Sequence, residues 1–242
     1  MGAGQADLSP TDLLRAYEVF LYEAARLREK HADRISLLIG LETDYITPLD
    51  LGNTTRLVAD HQEIDCLVGS VHHVNGVSID FDRSTWLRAV RTVNLGLIRT
   101  TMVASSSGQP VLAPSDPDDP HLQPGYTPTI PELRSFLLAY FDWQYELLRN
   151  HRPEVIGHFD LCLLWTPSVS LRSEDFEGVW EKVERNVRYI VEYGGLFEAN
   201  VAALRKGWET SYPGRGVLEV SPLSFHSVSI ADWRSISSSS TD

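Results

Sequence analysis

Histidine and carboxylate side chains gather at the ends of apolar runs in this sequence, and that placement is what a metal centre needs. Glu42 and Asp44 close one run, SLLIGLETDYI at residues 36–46; the adjacent His72 and His73 close a second at 64–72; His158 and Asp160 stand within a third at 155–164. Neutral imidazoles with a carboxylate suit zinc, iron or manganese, and a carboxylate can bridge two ions. A strand that delivers ligands at its C-terminal end holds them rigidly while the loops beyond admit substrate. Singly, each residue has a plainer reading. A buried histidine is more often hydrogen-bonded to backbone than metallated, and Asp44, Asp80 and Asp82 suit caps and turns. The spacing matches no short zinc signature such as HExxH.

The elements that must position these groups alternate. Ser9-Pro10 opens a helix running to about His31, with Leu13, Leu14, Tyr17, Phe20, Leu21, Ala24 and Leu27 at helical spacing. The runs at 36–46, 64–72, 155–164 and 196–201 read as strands covered on both faces. Between them, helices are expected at 54–63, after Ser84, behind the capping box Thr129-Ile130-Pro131-Glu132 as far as Pro153, and at 173–192, closed by Gly194-Gly195. Strand, helix, strand predicts parallel βαβ units and an α/β fold. The turn-prone pair Asn75-Gly76 follows the paired histidines. Residues 104–128, rich in proline, serine and aspartate, read as a flexible surface insertion, and 214–242 as a divergent, poorly ordered tail after one domain at 8–213.

Composition narrows the partners. The chain has 242 residues, 43% hydrophobic, and a net charge of −12 with no basic stripe, which disfavours a grip on nucleic acid and favours a small substrate. Its two cysteines, Cys66 and Cys162, offer neither a disulfide framework nor a CxxC knuckle, so a reducing compartment fits. No apolar run spans a membrane and the first residues do not resemble a signal peptide. The expectation is a soluble cytoplasmic protein without membrane or nucleic-acid partners.

Four segments carry a family resemblance: GLETDY, GSVHHVNGVSIDFD, PEVIGHFDL and EANVAALRK. In order and spacing they resemble the histidinol-phosphatase branch of the PHP (polymerase and histidinol phosphatase) metallohydrolases, particularly fungal members. The resemblance covers residues 8–213. It implies an irregular barrel of about seven β/α units with metals at the C-terminal ends of the strands, and release of phosphate from L-histidinol phosphate. Carried over, Glu42 corresponds to a bridging carboxylate, and His72 and His158 to the imidazoles completing one metal site. Arg205 corresponds to a phosphate-binding arginine with Asn200 beside it, while His73 and Asp160 correspond to groups that orient ligands or face the substrate.

The sequence also departs from the family pattern. It has no HxH on a first strand and no DxH in the segment after Pro213, and Val201 and Ala202 replace hydroxyl side chains after the asparagine. The barrel is therefore expected to be incomplete, with one fully liganded metal site at most, impaired activity, and exposed edges that favour a homo-oligomer. Two alternatives stay open: a catalytically inactive PHP-derived binding or regulatory protein, and a metal-dependent amidohydrolase on a related barrel.

Overall fold

A computed structural model describes residues 9–95, 125–200, 204 and 211–220. Helix α1 (Pro10–Lys30) starts at Ser9, whose side chain and that of Asp12 close a capping box. Strand β1 (Gly40–Asp44), helix α2 (Pro48–Asp60) and strand β2 (Cys66–Ser70) form the first βαβ unit, with Glu42 in register with Val68 and Asp44 with Ser70. A tight hairpin follows, β3 (His73–Val74) and β4 (Val77–Ser78), turning through Asn75 and Gly76 at φ 52° and 74°. Two positive φ angles are what the Asn-Gly pair tolerates. Helix α3 (Arg83–Asn94) is capped by Asp82, α4 (Ile130–His151) by Thr129 and Glu132, and α5 (Val179–Tyr193) ends at left-handed Gly194. Strands β5 (Val155–Ile156) and β6 (Leu196–Phe197) complete a parallel sheet ordered β1-β2-β5-β6.

Parallel strands laid side by side in chain order with helices packed over one face make an α/β sheet, and among the described residues that sheet is open. Behind it α3, α4 and α5 pack on one another, and their buried stripes, including Trp86, Phe136, Phe141, Val183 and Ile190, make the core. The other face carries Glu42, Cys66 and Val68 toward a cavity of about 920 Å³.

Several elements depart from expectation. The third strand stops at Ile156: Gly157 sits where an added Cβ would meet Ser70 Oγ at 2.4 Å, His158 adopts φ 44°, and Leu161–Leu163 winds into a 3₁₀ turn. An apolar run alone does not distinguish a strand from a buried turn. Helix α2 begins at Pro48, because Thr47 and Asp50 form a capping box upstream of the expected start, and it buries Leu51 rather than Leu57 and Val58. Gly178, at φ 83°, breaks the expected 173–192 helix into a 3₁₀ turn (Glu174–Phe176) and α5. Helix α1 buries Leu21 while Leu13, Leu14 and Phe20 stay exposed, since no described element covers that face. The lack of order expected after Pro213 does not hold for 214–220, where helix α6 (Arg215–Leu218) buries Val217. The predicted insertion at 104–128 falls outside the described residues up to 124. Among the described residues no helix is long and apolar enough to cross a membrane.

Candidate metal centre

Three of the residues singled out in the sequence converge. One ligand atom each from Glu42, His72 and His158 lies within 4.8 Å of the others, although the residues are far apart in sequence. Glu42 comes from the exposed side of β1, where Ser70 Oγ donates to its carboxylate at 2.8 Å. His72 stands just beyond β2, its backbone N–H donating to Asp44 Oδ1 at 3.0 Å and its Nδ1 3.6 Å from Asp44 Oδ2. His158 occupies the turn after β5, and its ring centroid is 5.4 Å from that of His72. Parallel pairing of β1, β2 and β5 is what brings the three together, because it sets their C-terminal ends side by side.

Carboxylates stand behind both imidazoles. Asp44 also meets His73, whose Nδ1 is 2.6 Å from Asp44 Oδ2. Burial opposes the charge on Asp44, but the hydrogen bonds from His72 and His73 outweigh it and hold the carboxyl well below its usual range. Burial likewise works against a charged His72, and the negative charges of Asp44, Asp80 and Glu42 outweigh it to raise that imidazole's pKa. His73 thus leans on Asp44 and is not part of the three-residue cluster.

Glu198, just past β6, is 2% exposed and its Oε2 is 2.8 Å from His158 Nδ1. It also accepts the His158 backbone N–H at 3.2 Å and Asn200 Nδ2 at 3.0 Å. Burial would raise its pKa, but these donors outweigh burial and lower it. Asn200 thus stands beside both Glu198 and His158, its Nδ2 3.1 Å from His158 Nδ1. Asp160, expected to orient a ligand, turns away: its Oδ2 accepts the Gly214 N–H at 2.6 Å, its Oδ1 is buried without a partner, and burial pushes its pKa up to about 6. Arg205 lies outside the described residues. Sequence reasoning missed Glu198 and passed over Asp44 as a turn residue. The strand period was the available signal, since it sets Leu196, Glu198 and Asn200 on one face.

The His158 turn is held from behind. Gln144 Nε2 donates to the Phe159 carbonyl at 2.8 Å, Tyr140 Oη donates to the same oxygen at 3.2 Å, and Asn186 Nδ2 donates to Gln144 Oε1 at 2.9 Å. In front, Glu42, Asp80, His158, Glu198 and Asn200 line the cavity, and among the described residues no lysine or arginine does.

This donor set fits a divalent cation. A carboxylate and two imidazoles converge, and each imidazole turns Nδ1 toward a carboxylate, leaving Nε2 for an ion.

The PHP domain model matches residues 4–202. The chain is 34% identical over 214 residues to a "Probable histidinol-phosphatase" of Schizosaccharomyces pombe, an alignment covering 88% of this chain and 58% of that protein. It is 28% identical over 230 residues to "Histidinol-phosphatase" of Saccharomyces cerevisiae, covering 85% of this chain and again 58% of the relative. The chain thus spans little more than half the length of these curated relatives. A crystal structure described as a histidinol phosphatase from Listeria monocytogenes superposes with a TM-score of 0.56 at 19% identity, over 89% of this chain and 68% of that one, a likeness of fold. With its family model matched along most of its length, the chain belongs to the PHP domain family.

Proposed function

We propose that this chain belongs to a histidinol-phosphatase that hydrolyses L-histidinol phosphate to L-histidinol and phosphate in histidine biosynthesis, with a zinc, iron or manganese ion held by Glu42, His72 and His158. The observation that carries the reading is the convergence of those three side chains within 4.8 Å at one end of a parallel sheet. The names of the fungal relatives support the substrate. A divalent ion at such a site neutralises charge on phosphoryl oxygens and acidifies water toward neutral pH.

The chain's own groups prepare the site. Ser70 holds one Glu42 oxygen, Asp44 and Glu198 hold the Nδ1 sides of the two imidazoles, and the cavity of about 920 Å³ is large enough for a small phosphomonoester. Arg205 would supply a planar guanidinium for bidentate contact with the phosphoryl group, and Asn200, which lines the cavity, a further polar contact. His73, braced on Asp44, would serve as a further substrate contact. A cytoplasmic location accords with a biosynthetic enzyme, and the open sheet edge and exposed face of α1 favour self-association.

The test is metal content together with phosphate release from L-histidinol phosphate, in the wild-type chain and in Glu42→Gln. About one divalent ion per chain is expected, the number three protein donors support, and turnover that vanishes in the variant. A chain that retains no ion when purified with zinc, iron or manganese overturns the reading. Retention of an ion without phosphate release would instead assign the chain to binding.

A further inference from the structure

Three oxygen contacts single out Glu198. Oε2 faces both His158 Nδ1 at 2.8 Å and the His158 backbone N–H at 3.2 Å, and Oε1 accepts from Asn200 Nδ2 at 3.0 Å. Glu198 is enclosed, only 2% exposed. His158 needs such a hold, because it sits in the left-handed region at φ 44° on an irregular turn, outside the strand ladder.

We propose that Glu198 is the positioning residue of this centre, fixing His158 in the tautomer protonated on Nδ1 so that Nε2 is offered toward Glu42 and His72. The proposal rests on the metal reading above and deepens it. An acceptor oxygen 2.8 Å from a ring nitrogen requires that nitrogen to carry a proton, and in the neutral ring the other nitrogen is then a lone-pair donor, the form a cation binds. Asn200 Nδ2 also lies 3.1 Å from His158 Nδ1. Two donors do not bond each other, so with Nδ1 protonated the amide serves Glu198, whose second oxygen it satisfies. The two imidazoles are not equivalent in this respect. Asp44 also holds the backbone N–H of His72, but its Oδ2 is 2.6 Å from His73 Nδ1 and 3.6 Å from His72 Nδ1, whereas Glu198 Oε2 is 2.8 Å from His158 Nδ1.

The test combines two readouts on the full chain. Long-range proton–nitrogen correlation spectra of metal-free protein labelled on histidine nitrogens report the tautomer of His158, assigned by comparison with His158→Gln. Titration with cobalt, followed by its visible absorption, reports the affinity of the centre. In the wild type His158 is expected as the Nδ1–H form. Glu198→Leu, which fills the space without an acceptor, should shift the ring toward the Nε2–H form and weaken cobalt binding by about 10- to 100-fold, the usual cost of losing such a partner. Glu198→Asp, which keeps the charge but withdraws the oxygens by one methylene, should do the same in smaller measure and serves if the leucine variant does not fold. Glu198→Gln keeps an acceptor and should retain the wild-type tautomer. A wild-type spectrum showing His158 as Nε2–H, or variants with unchanged tautomer and unchanged cobalt affinity, overturns the proposal. Absence of cobalt binding in the wild type overturns the metal reading instead, and the nitrogen spectra still decide whether Glu198 orients the ring.

Discussion

The two faces of the parallel sheet are built from different materials. Behind it, α3, α4 and α5 bury Trp86, Phe136, Phe141, Val183 and Ile190 with almost no solvent contact, and a chain of hydrogen bonds runs there from Asn186 through Gln144 to the Phe159 carbonyl. In front, Glu42, Asp80, His158 and Glu198 line an open cavity, His72 converges on Glu42 and His158, and Leu13, Leu14 and Phe20 of α1 meet solvent. Stability therefore resides behind the sheet and chemistry in front of it. The two meet at the turn carrying His158, where Tyr140 of the rear layer donates to the His158 and Phe159 carbonyls and Gln144 to the latter.

This division can be broken most forcibly from behind. Phe141 is 0% exposed and touches the rings of Tyr140 and Phe159. Phe141→Ala should lower the unfolding free energy by about 3–5 kcal/mol, through lost transfer energy and the cavity left behind. Urea denaturation measures it, and a loss below about 1 kcal/mol would place the core elsewhere. Gln144→Leu is expected to cost less, about 1–3 kcal/mol, since it strips a donor from the Phe159 carbonyl and leaves Asn186 Nδ2 without one of its two acceptors. It should also weaken metal binding, because the turn behind His158 loses a tether. Normal metal affinity in a destabilised Gln144→Leu chain would show that the faces are uncoupled.

On the front face, Leu38 is 74% exposed beside the start of β1. Leu38→Ala should change the unfolding free energy by less than about 0.5 kcal/mol, as surface substitutions usually do. A larger loss would mean that this side chain is covered in solution, as the self-association proposed for the open edge requires, and sedimentation at several concentrations would then show a dimer dissociating.

What was legible in the sequence followed the same division. The helices behind the sheet announced themselves through local chemistry: Thr129 with Glu132 at the start of α4 and Gly194 at the end of α5 are signals complete within a few residues. Taking the runs as parallel strands gathered Glu42, His72, His73, His158 and Asp160 at one end of the sheet, and the family resemblance is what singled out Glu42, His72 and His158 among them. Strand length was not legible, because pairing partners decide it. The run at 155–164 looks uniformly apolar, yet only Val155 and Ile156 find neighbours on both sides, and Leu161–Leu163 is buried as a turn. Glu198 was hidden for a similar reason. Nothing local marks a glutamate as the partner of a histidine forty positions away, and Asp160, closer in sequence, drew the assignment although its carboxylate serves Gly214.

The smallest effect on the bare fold is expected at the residue most important to the proposed chemistry. Glu42 is exposed on β1 and its described hydrogen bond is the one from Ser70 Oγ, which a glutamine carbonyl can accept equally well. In metal-free buffer Glu42→Gln should therefore unfold at nearly the wild-type urea concentration. Added metal should separate the two proteins. An ion that binds only the folded state stabilises it by about 2.7 kcal/mol at one hundred times its dissociation constant, so the wild-type transition should move to higher urea while that of Glu42→Gln moves little. Equal shifts in both would mean that the ion binds elsewhere. A glutamine variant already unstable without metal would mean that Glu42 belongs to the structural layer, and the separation of the two faces would fail at its clearest point.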